Sequence, residues 1–243
     1  MNLGSIKTQL ILFLGLFAAY LSIIEKDIWF LFSLLAAVIS SIALESAWVH
    51  FKEKKFKITE SSVITGLIVG FVLFSRPAWL MPIIASVMAI LSKYLIRFKS
   101  KHIFNPAAFG ILAAIMIFGT PTQWRGTYFW YILIPFGIYF ALRIKKLEIL
   151  YGYFAVALLL FGIQANFQGV SLFNIFNYLN YFFIFIILVE PKTTPVNPLG
   201  KILFGAAVAV LIFYFTEIGV KFDAEIAALL ACNLAVPLLN KLK

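Results

Sequence analysis

Charge, cysteine and histidine are what this chain has least of. Only 12% of its 243 residues are charged, against 63% hydrophobic, whereas an ordinary soluble domain is about 25% charged and roughly 45–50% apolar. So little charge cannot cover a water-facing surface, and a soluble fold is excluded. The single cysteine, Cys232, excludes an internal disulfide, and two histidines, His50 and His102, cannot build a His/Cys metal centre. A Gly-rich phosphate loop, a Ser/His/Asp grouping and a hydrolase-type carboxylate pair are also missing. Self-contained hydrolytic chemistry is thereby excluded, and no catalytic residue and no metal site can be named. Long hydrophilic loops and low-complexity stretches are absent too, so the sequence reads as one polytopic membrane domain, 1–243, with no water-soluble head.

What is there is a succession of apolar runs, at about residues 9–24, 28–49, 61–75, 78–96, 103–119, 127–143, 147–164, 172–189, 199–216 and 222–240. None alternates like a barrel strand, and a single spanning element must satisfy its own backbone hydrogen bonds. The pattern predicts an all-α integral membrane protein of about ten transmembrane helices, in halves of about 1–120 and 121–243. Ten spans at ~20 residues each consume nearly the whole chain. Several runs, 61–75 above all, are short enough to be re-entrant or half-helices. The first run reads as an uncleaved span, because Ala18, Ala19 and Tyr20 make a poor cleavage site.

The net charge of +10 does not point to nucleic acid, since the basic residues are scattered between apolar runs rather than gathered on one face. It points to membrane topology. With both termini in the cytoplasm, sixteen of the twenty Lys and Arg residues fall at the inner face, and only Lys26, Arg76, Arg125 and Lys221 fall outside. The expected place is the inner (plasma) membrane, multi-pass. Trp29, Trp48, Trp79, Trp124 and Trp130 all fall at or near run ends, as an interfacial belt does.

Burying a charge or an unpaired amide in hydrocarbon is costly, so polar residues within the runs are the candidate functional residues. Glu60, Ser61, Ser62 and Thr65 open the third run, either as a capped helix start or as a positive helix end that receives a polar ligand. Gly66 and Gly70 follow as a small-xxx-small pair suited to close packing. Asn105 and Pro106 open the fifth run with the same two readings, a cap or a buried helix start whose amides bind. Residues 190–200, Glu-Pro-Lys-Thr-Thr-Pro-Val-Asn-Pro-Leu-Gly, hold three prolines in eight positions and cannot continue a helix. Glu190, Thr193 and Thr194 then lie on a surface loop or line a polar cavity at membrane depth. Asn174, Asn177 and Asn180, spaced by three, would share one helix face as a hydrogen-bonding seam or the wall of a polar path. Glu60 precedes Asn105 by 45 residues and Glu190 precedes Asn233 by 43, an echo that suggests internal duplication. Both acids fall inside, however, where a simple reading of inverted halves would separate them.

At these residues the chain resembles the RnfD/NqrB family, the membrane subunits RnfD of the Rnf electron-transport complex and NqrB of the sodium-pumping NADH:quinone reductase. Members of that family carry a Ser-rich stretch leading into Thr-Gly-Leu, matched here at residues 62–67. They have a basic segment ending in Asn-Ile-Phe-Asn-Pro-Ala, matched at 102–107. A late Asp-Pro-Val-Thr-Ser-Pro loop matches 190–195, with Glu190 in place of Asp, and a final helix with an Asn-Ala-x-x-Pro-Leu-like end matches 233–238. The resemblance covers nearly the whole chain in order and spacing. It implies two inverted helical halves of urea-channel type whose polar helix breaks meet centrally, and it transfers the family's polar motifs onto Thr65, Asn105, Glu190, Thr193 and Thr194. Glu60, Ser62, Gly66, Pro106 and Asn233 complete the candidate set for a cofactor-binding site or translocation path.

The family's covalent flavin mononucleotide hangs from the last Thr of a Ser/Thr-Gly-Ala-Thr motif in the outer loop between the halves. Residues 119–127, Gly-Thr-Pro-Thr-Gln-Trp-Arg-Gly-Thr, lack that motif, so no covalent flavin is expected, only non-covalent FMN or riboflavin, or none. The expected function is therefore that of a membrane subunit of an Rnf-like, redox-linked ion-translocating system, with other subunits, the lipid bilayer and a small ion as partners. The alternatives are a standalone transporter or channel for a small polar solute such as a flavin or related vitamin, and an assembly protein whose polar seams only pack helices.

Overall fold

The computed structural model describes residues 4–73, 80–98, 101–119 and 121–242. The expectations attached to Arg76, Trp79, Lys99, Thr120 and Lys243, and to the facing ends of the third and fourth apolar runs, lie outside these residues. Ten α-helices are described: α1 Ile6–Glu25, α2 Ile28–Glu53, α3 Glu60–Val72, α4 Met81–Leu95, α5 Pro106–Phe118, α6 Trp130–Arg143, α7 Leu147–Phe167, α8 Ile175–Tyr178, α9 Pro198–Glu217 and α10 Ala224–Leu239. A π-helical segment, Phe183–Ile187, lies between α8 and α9. The only strand pair among the described residues is a two-residue ladder, β1 Arg97–Phe98 with β2 Lys101–His102, joining α4 to α5.

Four helices, α1, α2, α7 and α9, are long and apolar enough to cross a membrane. This is an all-α membrane protein. The other apolar helices run 13–16 residues. At 1.5 Å per residue, a 13-residue helix such as α3 or α5 covers about 20 Å, well short of the ~30 Å hydrocarbon core.

Helix starts follow local side-chain chemistry. Thr59 caps α3, its hydroxyl accepting the Ser62 N–H at 3.1 Å. The dipeptide Asn-Pro opens both α5 and α9: Asn105 Oδ1 accepts the Ala108 N–H at 3.1 Å, and Asn197 Oδ1 accepts the Gly200 N–H at 2.5 Å. The following proline sits where a helix has an unpaired N–H to lose. Asp223 caps α10 through the Ile226 N–H at 2.9 Å.

The chain forms two compact units, Met1–Gly126 and Thr127–Lys243. In the first, α2 packs along α3 and α4, α5 packs along α4, and α1 lies on α3. Gly66 and Gly70 let α3 come against α2 so closely that an added Cβ would sit 2.5 Å from Ser41 Oγ or 2.6 Å from Leu34 Cα. At both glycines the missing side chain is what permits this approach. Ser41 ties α2 to α3 by donating to the Ser62 carbonyl (2.8 Å), and Ser86 ties α4 to α2 by donating to the Ala37 carbonyl (3.0 Å). In the second unit, α7 packs along α9, α9 along α10, and α6 against the π segment. Gly152 and Gly205 set the α7–α9 distance, each meeting the other helix's backbone: an added Cβ would lie 2.0 Å from Ile202 O or 2.1 Å from Ile149 O.

The run at 172–189 departs from the expected continuous helix. It divides into a 3₁₀ turn (Leu172–Asn174), the single turn of α8, an extended break at Leu179 and the π segment. Asn174, Asn177 and Asn180 therefore share no helix face. The first two are exposed and Asn180 is buried, its Oδ1 accepting the Phe183 N–H at 2.9 Å and the Thr127 hydroxyl at 3.1 Å.

Candidate functional site at the helix breaks

In the first unit the polar start of α3 is drawn into two networks. Glu60 occupies the first turn of α3, and its carboxylate accepts hydrogen bonds from the Thr8 and Ser5 hydroxyls at the start of α1. The Ser62 hydroxyl donates to Thr59 O at 2.8 Å, and the Thr65 hydroxyl to Ser61 O at 2.9 Å. Both residues are buried, and both hydroxyls serve the backbone at the start of their own helix. These bonds describe a capped helix start.

The second network has no local mark in the sequence. Glu45, on α2 and only 2% exposed, accepts hydrogen bonds at both carboxylate oxygens from Lys93 Nζ on α4, at 2.6 and 2.7 Å. Lys93 also donates to Ser61 Oγ at 3.1 Å, and the Thr59 hydroxyl donates to Glu45 Oε1 at 2.8 Å. One buried ion pair thus joins α2, α4 and the start of α3. Lys93 is not a free surface charge marking the inner face, as charge counting alone reads it. An acid inside the apolar run 28–49 and a lysine inside 78–96 are the available signal, but their pairing depends on helix packing. Asn105, the cap of α5, is buried as well.

At the other end of this unit Arg125 forms ion pairs with Glu25 and Asp27 and lies over the Phe30 ring, 5.2 Å from its centroid. The chain before it is tied to the end of α3: the Gln123 N–H donates to Val72 O at 2.7 Å and the Arg125 N–H to Phe71 O at 2.8 Å, and Leu73 bridges Thr122. Thr122 is therefore engaged in backbone pairing.

In the second unit Thr193, Thr194 and Pro195 are folded inward and buried, while Pro191, Lys192 and Val196 of the same loop are exposed. The Thr193 hydroxyl donates to the Glu190 carboxylate, and the Thr194 hydroxyl to the Glu190 carbonyl at 2.8 Å. Asn233 Nδ2 donates to Thr193 O at 3.0 Å. Lys146, in the turn before α7, donates to Pro195 O at 2.5 Å and Thr194 O at 3.4 Å. Glu190, Thr193, Thr194 and Asn233 thus lie together, with Lys146 beside them. A bare surface loop is not what forms. Asn233 does not echo Asn105, however: it lies well inside α10, whereas Asn105 caps a helix.

This unit has its own Glu–Lys link, Lys201 Nζ of α9 to Glu148 of α7 at 3.2 Å. Asp223 and Glu225 are two further acids at the start of α10. Sequence reasoning passes over Lys146, Glu148, Asp223 and Glu225, because each looks like an ordinary charge at a helix end. No group of three or more His, Cys, Asp or Glu side chains among the described residues is placed to hold a metal ion.

Comparison with known proteins supplies the family. The D subunit of an ion-translocating oxidoreductase complex from Shewanella amazonensis (strain ATCC BAA-1098 / SB2B) is 32% identical over 87 residues, covering 36% of this chain and 25% of the relative. The match thus spans about a quarter of that relative's length. The model of the NQR2, RnfD, RnfE family matches more widely, in two stretches, 2–131 and 125–243. With those stretches covering nearly every residue, the chain belongs to the NQR2, RnfD, RnfE family.

Proposed function

We propose that this protein is a membrane subunit of an Rnf- or NQR-like, redox-linked ion-translocating complex, working with other subunits of that complex in the plasma membrane. Family membership along nearly the whole chain carries the reading. The folded-in polar break at Glu190, Thr193, Thr194 and Asn233 supports it from the geometry, because a membrane protein retains costly buried polar groups where an ion or cofactor must pass. The polar breaks at Glu60, Ser62, Thr65, Asn105 and Pro106 supply the same function in the first unit. Any flavin bound is held without a covalent link, as FMN or riboflavin.

The topology is two inverted five-helix halves, with both termini cytoplasmic. In both units the second helix packs along the fourth, the fourth along the fifth, and the first on the third element. Glu45 and Lys93 lie toward the C-terminal ends of α2 and α4, whereas Glu148 and Lys201 lie in the first turns of α7 and α9. Inversion places both links at the cytoplasmic side. It also accounts for Glu60 and Glu190 falling inside together: one starts the third element of its half, and the other follows the end of the third element of its half.

Affinity purification from detergent-solubilised membranes tests the complex. Co-purification of iron–sulfur or nucleotide-binding subunits is the expected result. Visible spectra of supernatant and pellet after acid denaturation test the cofactor, and flavin in the supernatant is expected. A colourless protein purified without companions would instead favour a standalone transporter of a small polar solute, a reading to which the motif-free 119–127 loop lends its one specific support. Glu60→Gln and Glu190→Gln, each in folded protein, are expected to abolish ion or electron flow. Full activity in both would leave only a packing role for these acids.

A further inference from the structure

The C-terminal ends of α2 and α4 meet at one end of the first unit, where the Trp48 and Tyr94 rings stack with centroids 4.8 Å apart. The Ser46 hydroxyl, donating to Lys57 O at 3.2 Å, holds the chain after α2 against the same end. Past this contact, residues 51–58 are all exposed. They hold Lys52, Lys54, Lys55 and Lys57 against one acid, Glu53, interleaved with Phe51, Phe56 and Ile58, which are 79%, 80% and 67% exposed. The β1–β2 hairpin that follows α4 adds Arg97 and Lys101, both exposed, beside an exposed Phe98. Glu60, the acid that starts α3, is half-buried and bonded to Thr8 and Ser5. Cations and large apolar side chains thus alternate where two apolar helices end. Lys52 shows how both fit one boundary: its Nζ lies 5.4 Å from the centre of the Trp48 ring, the stem covering apolar surface and the charge reaching outward. Ammonium groups are strongly hydrated and depleted from the cores of protein interfaces. In the wet headgroup zone they keep that hydration and meet phosphates, while rings enter the acyl boundary.

We propose that residues 51–58 and the β1–β2 hairpin form a headgroup-binding surface that selects anionic phospholipids from the surrounding bilayer. The rings hold the segment at the depth of the interface, and the lysines supply the sign that a zwitterionic headgroup does not match. The inference stands on the exposure and charge of this surface and does not depend on the redox-complex reading. Because the four lysine side chains of the segment are exposed, their charge can be removed without opening the core.

The test places the purified full chain in vesicles of equal phosphatidylglycerol and phosphatidylcholine with matched acyl chains, re-extracts it in mild detergent, and measures by mass spectrometry the ratio of the two lipids that stay bound. Wild type should retain phosphatidylglycerol in several-fold excess and lose most of that excess in high salt. The fourfold variant Lys52→Gln, Lys54→Gln, Lys55→Gln, Lys57→Gln should fall close to the vesicle ratio, with its unfolding temperature in detergent unchanged. Lys26→Gln with Lys221→Gln, at turns elsewhere in the chain, should keep the wild-type excess. An excess that survives the fourfold variant overturns the proposal, and loss of co-purifying subunits in that same variant would then assign the surface to an acidic protein. Equal loss in the Lys26 and Lys221 variant also overturns it, because net charge rather than this surface would be selecting the lipid. Inorganic phosphate at matched ionic strength should displace no more phosphatidylglycerol than chloride does. Full displacement by phosphate would make the surface a site for a soluble anion, and the lipid assignment would fall.

Discussion

Among single residues the Glu45–Lys93 pair carries the sharpest consequence. Both groups are desolvated, and the carboxylate is bonded through both oxygens. Removing one partner leaves an uncompensated buried charge, which costs about 3–5 kcal/mol, whereas replacing both by apolar residues of similar volume is often neutral. Glu45→Gln and Lys93→Met are each expected to lower the unfolding temperature in detergent sharply, and Glu45→Leu with Lys93→Met to recover most of the loss. A double variant as unstable as the sum of the singles would show that the two side chains act independently. Asn105→Ala should be milder, at about 1 kcal/mol for a lost helix cap. The contrast explains what the sequence discloses. A cap such as Asn105 or Asn197 bonds an amide three residues away, so residue type and spacing reveal it. Glu45 and Lys93 are 48 residues apart, and nothing local marks them as partners.

Helical elements are legible wherever a run is uniformly apolar and bounded by a turn signal. The run at 172–189 is not, because spacing by three implies a face only if the helix is continuous, and the backbone breaks at Leu179 where Asn180 begins a new cap. The glycines are legible in type but not in partner. Gly66 and Gly70 pack on α2 as a small-residue pair should, while Gly152 and Gly205 lie on separate helices and meet only in the fold. Substituting either of the latter puts a Cβ near 2 Å from a carbonyl oxygen of the facing helix backbone, a contact that no rotamer relieves. Gly152→Val and Gly205→Val are each expected to push α7 from α9 and cost at least the roughly 1–3 kcal/mol typical of overpacking, read as a lower unfolding temperature and reduced folded yield. Gly169→Ala probes a different cause, since a Cβ there meets nothing but the residue has φ +67°. Its cost should be small, at about 1 kcal/mol. Equal loss in all three would mean that backbone conformation rather than interhelix distance sets the penalty.

At the level of the whole molecule, the proposed inversion groups residues that sequence proximity does not. Lys54, which follows α2, and Lys192, which follows the π segment, belong to different units but should both face the cytoplasm. Lys26, between α1 and α2, and Lys221, between α9 and α10, should both face outward. All four are exposed, so each can be replaced by cysteine with little risk to packing, in a background where the buried Cys232 is changed to Ala. A membrane-impermeant maleimide applied to intact cells is expected to label Lys26→Cys and Lys221→Cys and to spare Lys54→Cys and Lys192→Cys until the membrane is opened. The two lysine pairs answer different questions. If Lys54 and Lys192 label from opposite sides, the halves are not inverted, and the matching positions of the Glu45–Lys93 and Glu148–Lys201 links become coincidence. If both label only from outside, inversion survives and the cytoplasmic assignment of the basic residues is what falls. Labelling as expected would fix both Glu–Lys links and the 190–197 loop at the cytoplasmic face.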